Sequence, residues 1–564
     1  MPEGPNRTLK NPVTVTIDGR QIVGEAGANL LQLALDNGVA IPHYCYHPKL
    51  SIDGSCRMCQ VKIERAPKLA IACNTPITDG MVVDTQAEEV AEARRGVMEL
   101  LLLNHPLDCP ICDQAGECYL QDYSFGYGRQ ESRTTSPRRK GVKRHPIGPR
   151  VLFDEERCIL CRRCVRFTAE ISETEELRVF GIGDHSHIGT VPGRPLDNPY
   201  SINTADVCPV GALLSKDFHH KRRVWFLEET ESVCSSCSNG CNIKIGVFRN
   251  EIQRLLPRRN DDVNETWMCD AGRLRYAFAH DETRIRHASL GGREIASNGA
   301  SAAAATADAL AEAANRLRAA IDAHGAKSVG VIASGGLTNE ECFRLAALVR
   351  DRMGTPNVDV AVPMGDSDDF LIRPDKTANA RGARDMGLAP GEGGLDVAGM
   401  ISGAAAGAVK ALWVIGSGDL EATTEAEALQ AALANVETLI LQDTNRSSLT
   451  AHAAVVVPGL VWAEKDGTFT NHAGRVQRIR KALVPPAGSM ADGEIFARLD
   501  ALLQGQAPAS VAFDARATLG EIASKVAGYA GVSFGSVGSH GAKPEAETPA
   551  AESASAASPP AGAA

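Results

Sequence analysis

The sequence has no stretch approaching the ~18 to 20 consecutive apolar residues that a membrane-spanning helix requires. Its longest apolar cluster, Val97 to Leu103, is far shorter, so any membrane association is expected to run through partners. Met1 to Pro12 has neither an apolar secretory core nor an Arg-rich amphipathic pattern, which predicts a cytoplasmic, bacterial protein. A large excess of positive charge is also missing. The formal net charge of -10 argues against a general nucleic-acid binder. The one local basic run, Arg129 to Arg150, includes Arg133, Arg138, Arg139, Lys140, Lys143 and Arg144 but no aromatic residue on which bases could stack. It reads as a solvated or subunit-facing connector. Cysteine is nearly absent beyond residue 269, where only Cys342 occurs, and no paired-carboxylate or nucleophile motif stands out.

With 44% hydrophobic and 23% charged residues, the 564-residue chain has the balance of a soluble globular protein and the length of roughly four domains. Its sixteen cysteines are the informative feature. A reducing compartment does not sustain disulfides, so grouped thiols in such a chain point to metal.

Cys45, Cys56, Cys59 and Cys73 form the first group. Four thiolates suffice for one 2Fe-2S cluster, and zinc is the alternative. Upstream, Val13 to Ile17 alternates as a strand, Asp18-Gly19 reads as a hairpin turn and Ala28 to Asn37 has helical spacing. That order predicts a β-grasp ferredoxin with the cluster loop after its helix. The second group, Cys109, Cys112 and Cys118, has only three thiols. His105, four residues before the first of them, is placed to fill the fourth position of a 4Fe-4S cluster. The third group is Cys158, Cys161, Cys164 and the distant Cys208-Pro209. On a two-cluster ferredoxin template, the four ligand positions of the other cluster are occupied by Thr168, Asn198, Ser201 and Thr204. This predicts a double-ferredoxin fold carrying a single 4Fe-4S cluster. The fourth group, Cys234, Cys237, Cys241 and Cys269, suits another 4Fe-4S cluster, with zinc again as the alternative. Strands are expected at Ile243 to Phe248 and Ile252 to Leu255.

These groups, in this order, resemble the G-subunit family of NADH:quinone oxidoreductase, respiratory complex I. The likeness is carried by Leu101 to Cys118, by Cys158 to Phe167 and by Asp206 to Leu213, and it spans Val13 to Phe278. The resemblance implies an electron-transfer subunit of the hydrophilic arm with one 2Fe-2S and three 4Fe-4S clusters. Electrons would arrive from the flavin subunit and leave toward quinone through the Cys45, Cys158 and His105 clusters, with the fourth cluster off that path. It implies as partners the flavin- and NADH-binding subunit and the two-cluster ferredoxin-like subunit, no nucleic acid, and a peripheral place on the cytoplasmic face of the bacterial inner membrane. The alternative is a cofactor-bearing subunit of an NAD-linked formate dehydrogenase or hydrogenase, although such relatives commonly keep the cluster that Thr168, Asn198, Ser201 and Thr204 have lost here.

From about Ile285, Ala-rich amphipathic stretches alternate with short apolar strands such as Val329 to Ala333 and Leu439 to Leu441, the pattern of an α/β layered domain. Leu412 to Ile415 followed by Gly416-Ser-Gly418 reads as a strand-to-helix turn, without the third glycine of a dinucleotide loop. Gly336 to Glu341, Gly354 to Asp359 and Gly467 to Gln477 resemble segments of molybdopterin oxidoreductases, whose C-terminal pterin domain is expected to be missing. No molybdenum cofactor is expected, because Asp270-Ala271-Gly272 replaces the usual cluster lysine motif and Ser367 is the sole conceivable metal ligand. The expected organisation is a multidomain α+β and α/β chain. It comprises a 2Fe-2S ferredoxin-like domain (1–90), a His-Cys cluster domain (91–128), a 4Fe-4S ferredoxin-like domain (129–226), a Mo/W-oxidoreductase-type cluster domain (227–283), a truncated molybdopterin-oxidoreductase-like domain (284–532) and a disordered tail (533–564).

Overall fold

A computed structural model describes residues 9–295, 302–507 and 512–544. The chain divides into two compact units. One comprises Met1–Glu229, Ile245–Asp261 and Glu265–Leu274, the other Thr230–Lys244, Asp262–Asn264 and Arg275–Ala564. The three N-terminal modules thus share one unit, while residues 227–283 contribute to both and form no unit of their own.

The first unit opens with a β-grasp. Strands Pro12–Ile17 and Arg20–Glu25 form an antiparallel hairpin whose turn residues Asp18 and Gly19 both have positive φ (48° and 79°), as a two-residue turn matching the strand twist requires. Val82–Asp84 pairs parallel to the first strand, and Gln60–Ile63 and Ala70–Ile71 complete the five-stranded mixed sheet. The helix Leu30–Asp36 is shorter than its periodicity predicts, because Asn29 caps it by accepting the Gln32 N–H at 3.0 Å and Asn37 ends it. It buries Leu30, Leu31 and Ala34 against Val15, Ile17, Val61 and Val83. Arg94, on the helix Glu88–Leu102, is buried and donates to the carbonyls of Thr85 and Gln60, each at 3.0 Å, which fixes that helix to the sheet. Further along, Val151–Phe153 pairs with His145–Pro146 and Leu213–Ser215 beside the helices Arg163–Glu170 and Asn203–Val207. The basic connector is largely exposed. Arg133 makes two hydrogen bonds to Glu99, and Lys143 pairs with Asp108 and Glu156.

The second unit is built on a seven-stranded sheet in which five strands, from the edge strand Val358–Ala361 through Val329–Ser334, Ala411–Ile415 and Thr438–Asp443 to Val455–Pro458, run parallel. Alternate residues of one strand enter different cores: Val331, Ala333, Trp413 and Ile415 join one, Ile332, Leu412 and Val414 the other. Burial on both faces is why these strands read as continuous apolar runs. Cys342, on the helix Asn339–Ala347, is fully buried in the first of these cores. Gly416, with φ 78°, makes the expected strand-to-helix turn, and a Cβ there would meet the Ser334 Cβ at 2.6 Å.

The tail differs from expectation over its first residues. Ser533 caps a short helix, Phe534–Val537, whose two end residues are buried, Arg478 lies over the Phe534 ring, and Ala542 bridges to Val476. Two apolar anchors are enough to hold this stretch despite its Gly/Ser-rich composition. Residues 545–564 lie outside the described residues.

Candidate iron-sulfur sites

In the first group the β-grasp places Cys45 on the loop after its helix and Cys59 and Cys73 at the sheet edge. All three are buried and Cys56 is partly exposed. The Cys45 thiol interacts with those of Cys56 and Cys73, and the Cys59 thiol with that of Cys73. Hydrogen bonds from Cys56 and Cys73 hold Cys45 below the ordinary thiol range, and the backbone N–H groups of Ser55 and Cys56 add to this. Arg57, inside the loop, sits at φ 56°, a left-handed conformation that costs a non-glycine residue about 1 kcal/mol or more.

The second group lies between the helices Glu88–Leu102 and Tyr119–Tyr127. Cys112 and Cys118 are buried and Cys109 is exposed. The His105 Nδ1 is buried and has no hydrogen-bond partner. Burial, reinforced by the Arg157 charge, lowers the His105 imidazole to about 4, so it is neutral at physiological pH, the form that binds metal. Burial raises the Cys118 thiol to about 11, so a thiolate there needs a compensating cation.

The third group lines a small closed cavity formed by Cys158, Cys161, Cys164 and Cys208 with Phe153, Ile159, Ile188, Val210, Ala212 and Leu213. Burial raises Cys161 to about 11 and Cys164 well above its ordinary value. Leu160 and Arg162 both have positive φ (52° and 59°), and the Leu160 N–H points at the Cys158 Sγ at 3.4 Å. N–H groups also reach Cys208 from Leu213, Val210 and Ala212. Such donors stabilise negative charge on sulfur and raise a cluster's potential. The four residues at the lost ligand positions are buried and hydrogen-bonded instead. Ser201 donates to Asp270 at 2.6 Å, Asn198 donates to Glu176, Thr204 donates to the Ser201 carbonyl at 2.7 Å, and Thr168 donates to the Val165 carbonyl at 3.0 Å.

Direct contacts join these three groups. Arg166 donates to the carbonyls of Cys45 and Cys161, and Arg163 donates to those of Tyr46 and Val207. On the other side, Tyr119 N–H donates to the Pro209 carbonyl at 3.1 Å, and buried Arg157 reaches both Asp108 and the Gly211 carbonyl. A Cβ on Gly211 would lie 2.2 Å from the Cys112 Sγ. Gly211→Ala should therefore displace Cys112, cost about 1–3 kcal/mol and selectively alter the EPR signal of the His105 site. An unchanged signal in the variant would show that this contact does not constrain the site.

In the fourth group Cys234, Cys237 and Cys241 are buried in the second unit. There the Cys234 N–H donates to the Cys241 carbonyl at 2.8 Å, and Asn239 Nδ2 donates to the Cys241 Sγ at 3.1 Å. Cys269 belongs to the first unit, where the Gly272 N–H lies 3.3 Å from its sulfur.

Sequence reasoning missed the roles of Arg163, Arg166, Arg157 and Gly211. Their signal was position alone, since Arg157, Arg163 and Arg166 flank or interrupt Cys158-x2-Cys161-x2-Cys164.

The second unit holds a cavity of about 510 Å³ at the carboxyl ends of the parallel strands, lined by Gly416, Ser417, Asp419, Asp443, Lys465 and Asp492 among others.

Family models match along the chain: a 2Fe-2S iron-sulfur cluster binding domain over residues 10–88, an NADH-ubiquinone oxidoreductase-G iron-sulfur binding region over 94–133, the ferredoxin-like domain of NADH-quinone oxidoreductase subunit 3 over 148–214, a 4Fe-4S domain of the NADH-ubiquinone oxidoreductase type over 227–277 and molybdopterin oxidoreductase over 374–501. The chain is 46% identical over 263 residues to the mitochondrial NADH-ubiquinone oxidoreductase 78 kDa subunit of Candida albicans, covering 46% of this chain and 36% of that one. It is 37% identical over 349 residues to the G subunit of NADH-quinone oxidoreductase from Rickettsia conorii, covering 62% and 50%. The match thus spans half or less of these relatives' own length. Among solved structures, an NAD+-reducing [NiFe]-hydrogenase chain is 30% identical with a TM-score of 0.35, over 38% of this chain and 91% of that one.

Proposed function

We propose that this chain, related through its first half to the G subunit of NADH-quinone oxidoreductase, is an electron-transfer subunit of such a complex, placed between a flavin subunit and quinone. The observation that carries this reading is the contact of the third cysteine group with the first through Arg166 and with the second through residues 209–211. That adjacency suits a relay in the order Cys45 group, Cys158 group, His105 group, with the Cys234, Cys237, Cys241 and Cys269 group off it.

Cys45, Cys56, Cys59 and Cys73 would hold a 2Fe-2S cluster, and the other three sets 4Fe-4S clusters. Bound clusters supply reversible one-electron transfer. The chain's own part is to position and insulate. Arg163 and Arg166 fix two ligand loops to one helix, backbone N–H groups face the sulfurs, and Tyr44, Met98, Phe153 and Leu213 exclude water around them. Leu100, Leu107, Phe125, Ile182, Trp225 and Phe226 are large apolar side chains left more than half exposed on the first unit. They suit burial against other subunits, namely the flavin- and NADH-binding subunit and a two-cluster ferredoxin-like subunit. No described helix is long and apolar enough to cross a membrane. A place on the cytoplasmic face of the bacterial inner membrane would therefore depend on partners.

The second unit does not suit a molybdenum cofactor. Ser367 is exposed and does not line the 510 Å³ cavity. That cavity presents Asp281, Asp419, Asp443 and Asp492 beside Arg275, Lys376 and Arg446, and its buried cation Lys465 is already paired with Glu341 and Asp492. The unit would act as scaffold and interface. Elemental analysis of the assembled complex should find about fourteen iron atoms in this chain, two from one cluster and four from each of three, with molybdenum and tungsten well below one. Zinc in place of iron would refute the cluster assignment, and stoichiometric molybdenum with extractable pterin would refute the scaffold reading.

A further inference from the structure

Outside the cysteine groups, the first unit brings together a carboxylate and two imidazoles. Asp113, His219 and His220 each present a ligand atom within 4.8 Å of the other two, the only such set found among the described residues. We propose that these three residues form a separate site for one divalent transition-metal ion of the zinc class.

The geometry has three parts. Asp113 is buried, and its Oδ2 accepts the His220 backbone N–H at 3.1 Å while standing 3.8 Å from the His219 Nε2. That Nε2 is itself buried and has no hydrogen-bond partner, an arrangement that leaves a lone pair or proton unsatisfied at a cost of about 1–3 kcal/mol. Third, His220 adopts φ 58°, a left-handed conformation that histidine enters more readily than most non-glycine residues. This twist brings two consecutive imidazoles together, stacked with centroids 3.9 Å apart and planes 18° apart, so one ring has to rotate about its side-chain torsions for both nitrogens to face one ion.

The donor set selects the ion. Two imidazole nitrogens and one carboxylate oxygen suit zinc, nickel or cobalt, whereas calcium and magnesium need cages of oxygen. Three protein ligands leave a fourth tetrahedral position for water, and exposed His220 leaves that side open to solvent. Buried Arg157, whose charge acts on His219, is paired with Asp108 and Asp154. The bound ion would tie the segment after the ferredoxin-like module to Asp113, directly beside Cys112. The inference is independent of the electron-transfer reading, because it uses no cysteine.

The test is zinc titration of the full chain with its clusters assembled, by competition with a chromophoric chelator, with zinc K-edge absorption on the loaded protein. One zinc ion should bind per chain through nitrogen and oxygen ligands at about 2.0–2.2 Å. His219→Ala should weaken it by about tenfold or more. His220→Gly should do the same while folding normally, because glycine adopts φ 58° without strain. Equal zinc affinity in wild type and both variants, or a first shell dominated by sulfur, overturns the proposal.

Discussion

Replacing His105 with alanine should remove one 4Fe-4S cluster, about four iron atoms per chain, and leave the other three groups loaded. The second group offers only three thiols, so loss of the imidazole leaves one iron with no protein ligand. The structure shows why His105 suits the role. Its Nδ1 is buried without a partner, and burial with the Arg157 charge holds the ring neutral, so no proton has to leave before metal binds. Cysteine at the same position should restore the cluster with a different signature. A thiolate adds a negative charge that a neutral imidazole does not carry, so the reduction potential should fall. Iron analysis and EPR of the dithionite-reduced chain read the first result, and a redox titration reads the second. Full iron content in His105→Ala, or an unchanged potential in His105→Cys, would exclude His105 as a ligand.

His105 was singled out from the sequence because cluster ligation leaves short, fixed spacings of residues with little other reason to recur. The β-grasp was equally legible. Its Asp18-Gly19 turn and its alternating strand are local features, and the chain follows them. What could not be read is what distant segments do to one another. Gly211 looks like an ordinary turn residue until its hydrogen is found against the Cys112 sulfur. Arg163 and Arg166 look like solvated charges on a cluster loop, yet they tie it to residues more than a hundred positions away. Thr168, Asn198, Ser201 and Thr204 predicted a missing second cluster, but the sequence did not show that Ser201 would reach Asp270. Composition misled at Ser533, where a Gly/Ser-rich stretch is anchored by Phe534 and Val537. Side-chain periodicity reports which face is buried and is silent about the partner.

The same silence hid the buried charges of the second unit, and there a single substitution should have the largest effect on stability. Lys465 is 5% exposed and donates to Glu341 Oε2 at 2.7 Å and to Asp492 Oδ2 at 2.8 Å, both carboxylates being buried as well. Lys465→Met keeps the apolar stem and removes the ammonium. It leaves two buried carboxylates facing each other, a change that typically costs about 3–5 kcal/mol. Changing all three groups to apolar residues should cost far less, since the penalty comes from unpaired charge rather than from a lost contact. The pH dependence separates these cases. Burial already raises Glu341, against the lowering effect of Lys465, so without the lysine that carboxyl rises further. A group raised in the folded state contributes stability below its unfolded value and loses it as pH rises through the folded one. The deficit of Lys465→Met should therefore be greatest at neutral and alkaline pH and shrink in mild acid. Neighbouring Glu340, pushed up to about 7 by burial, adds a wild-type loss of the same sign as pH rises through that value. Denaturant unfolding of wild type and variant across mild acid to mild alkali measures both slopes, and a deficit independent of pH, or smaller than about 1 kcal/mol, would show that the pair is solvated and carries no buried charge.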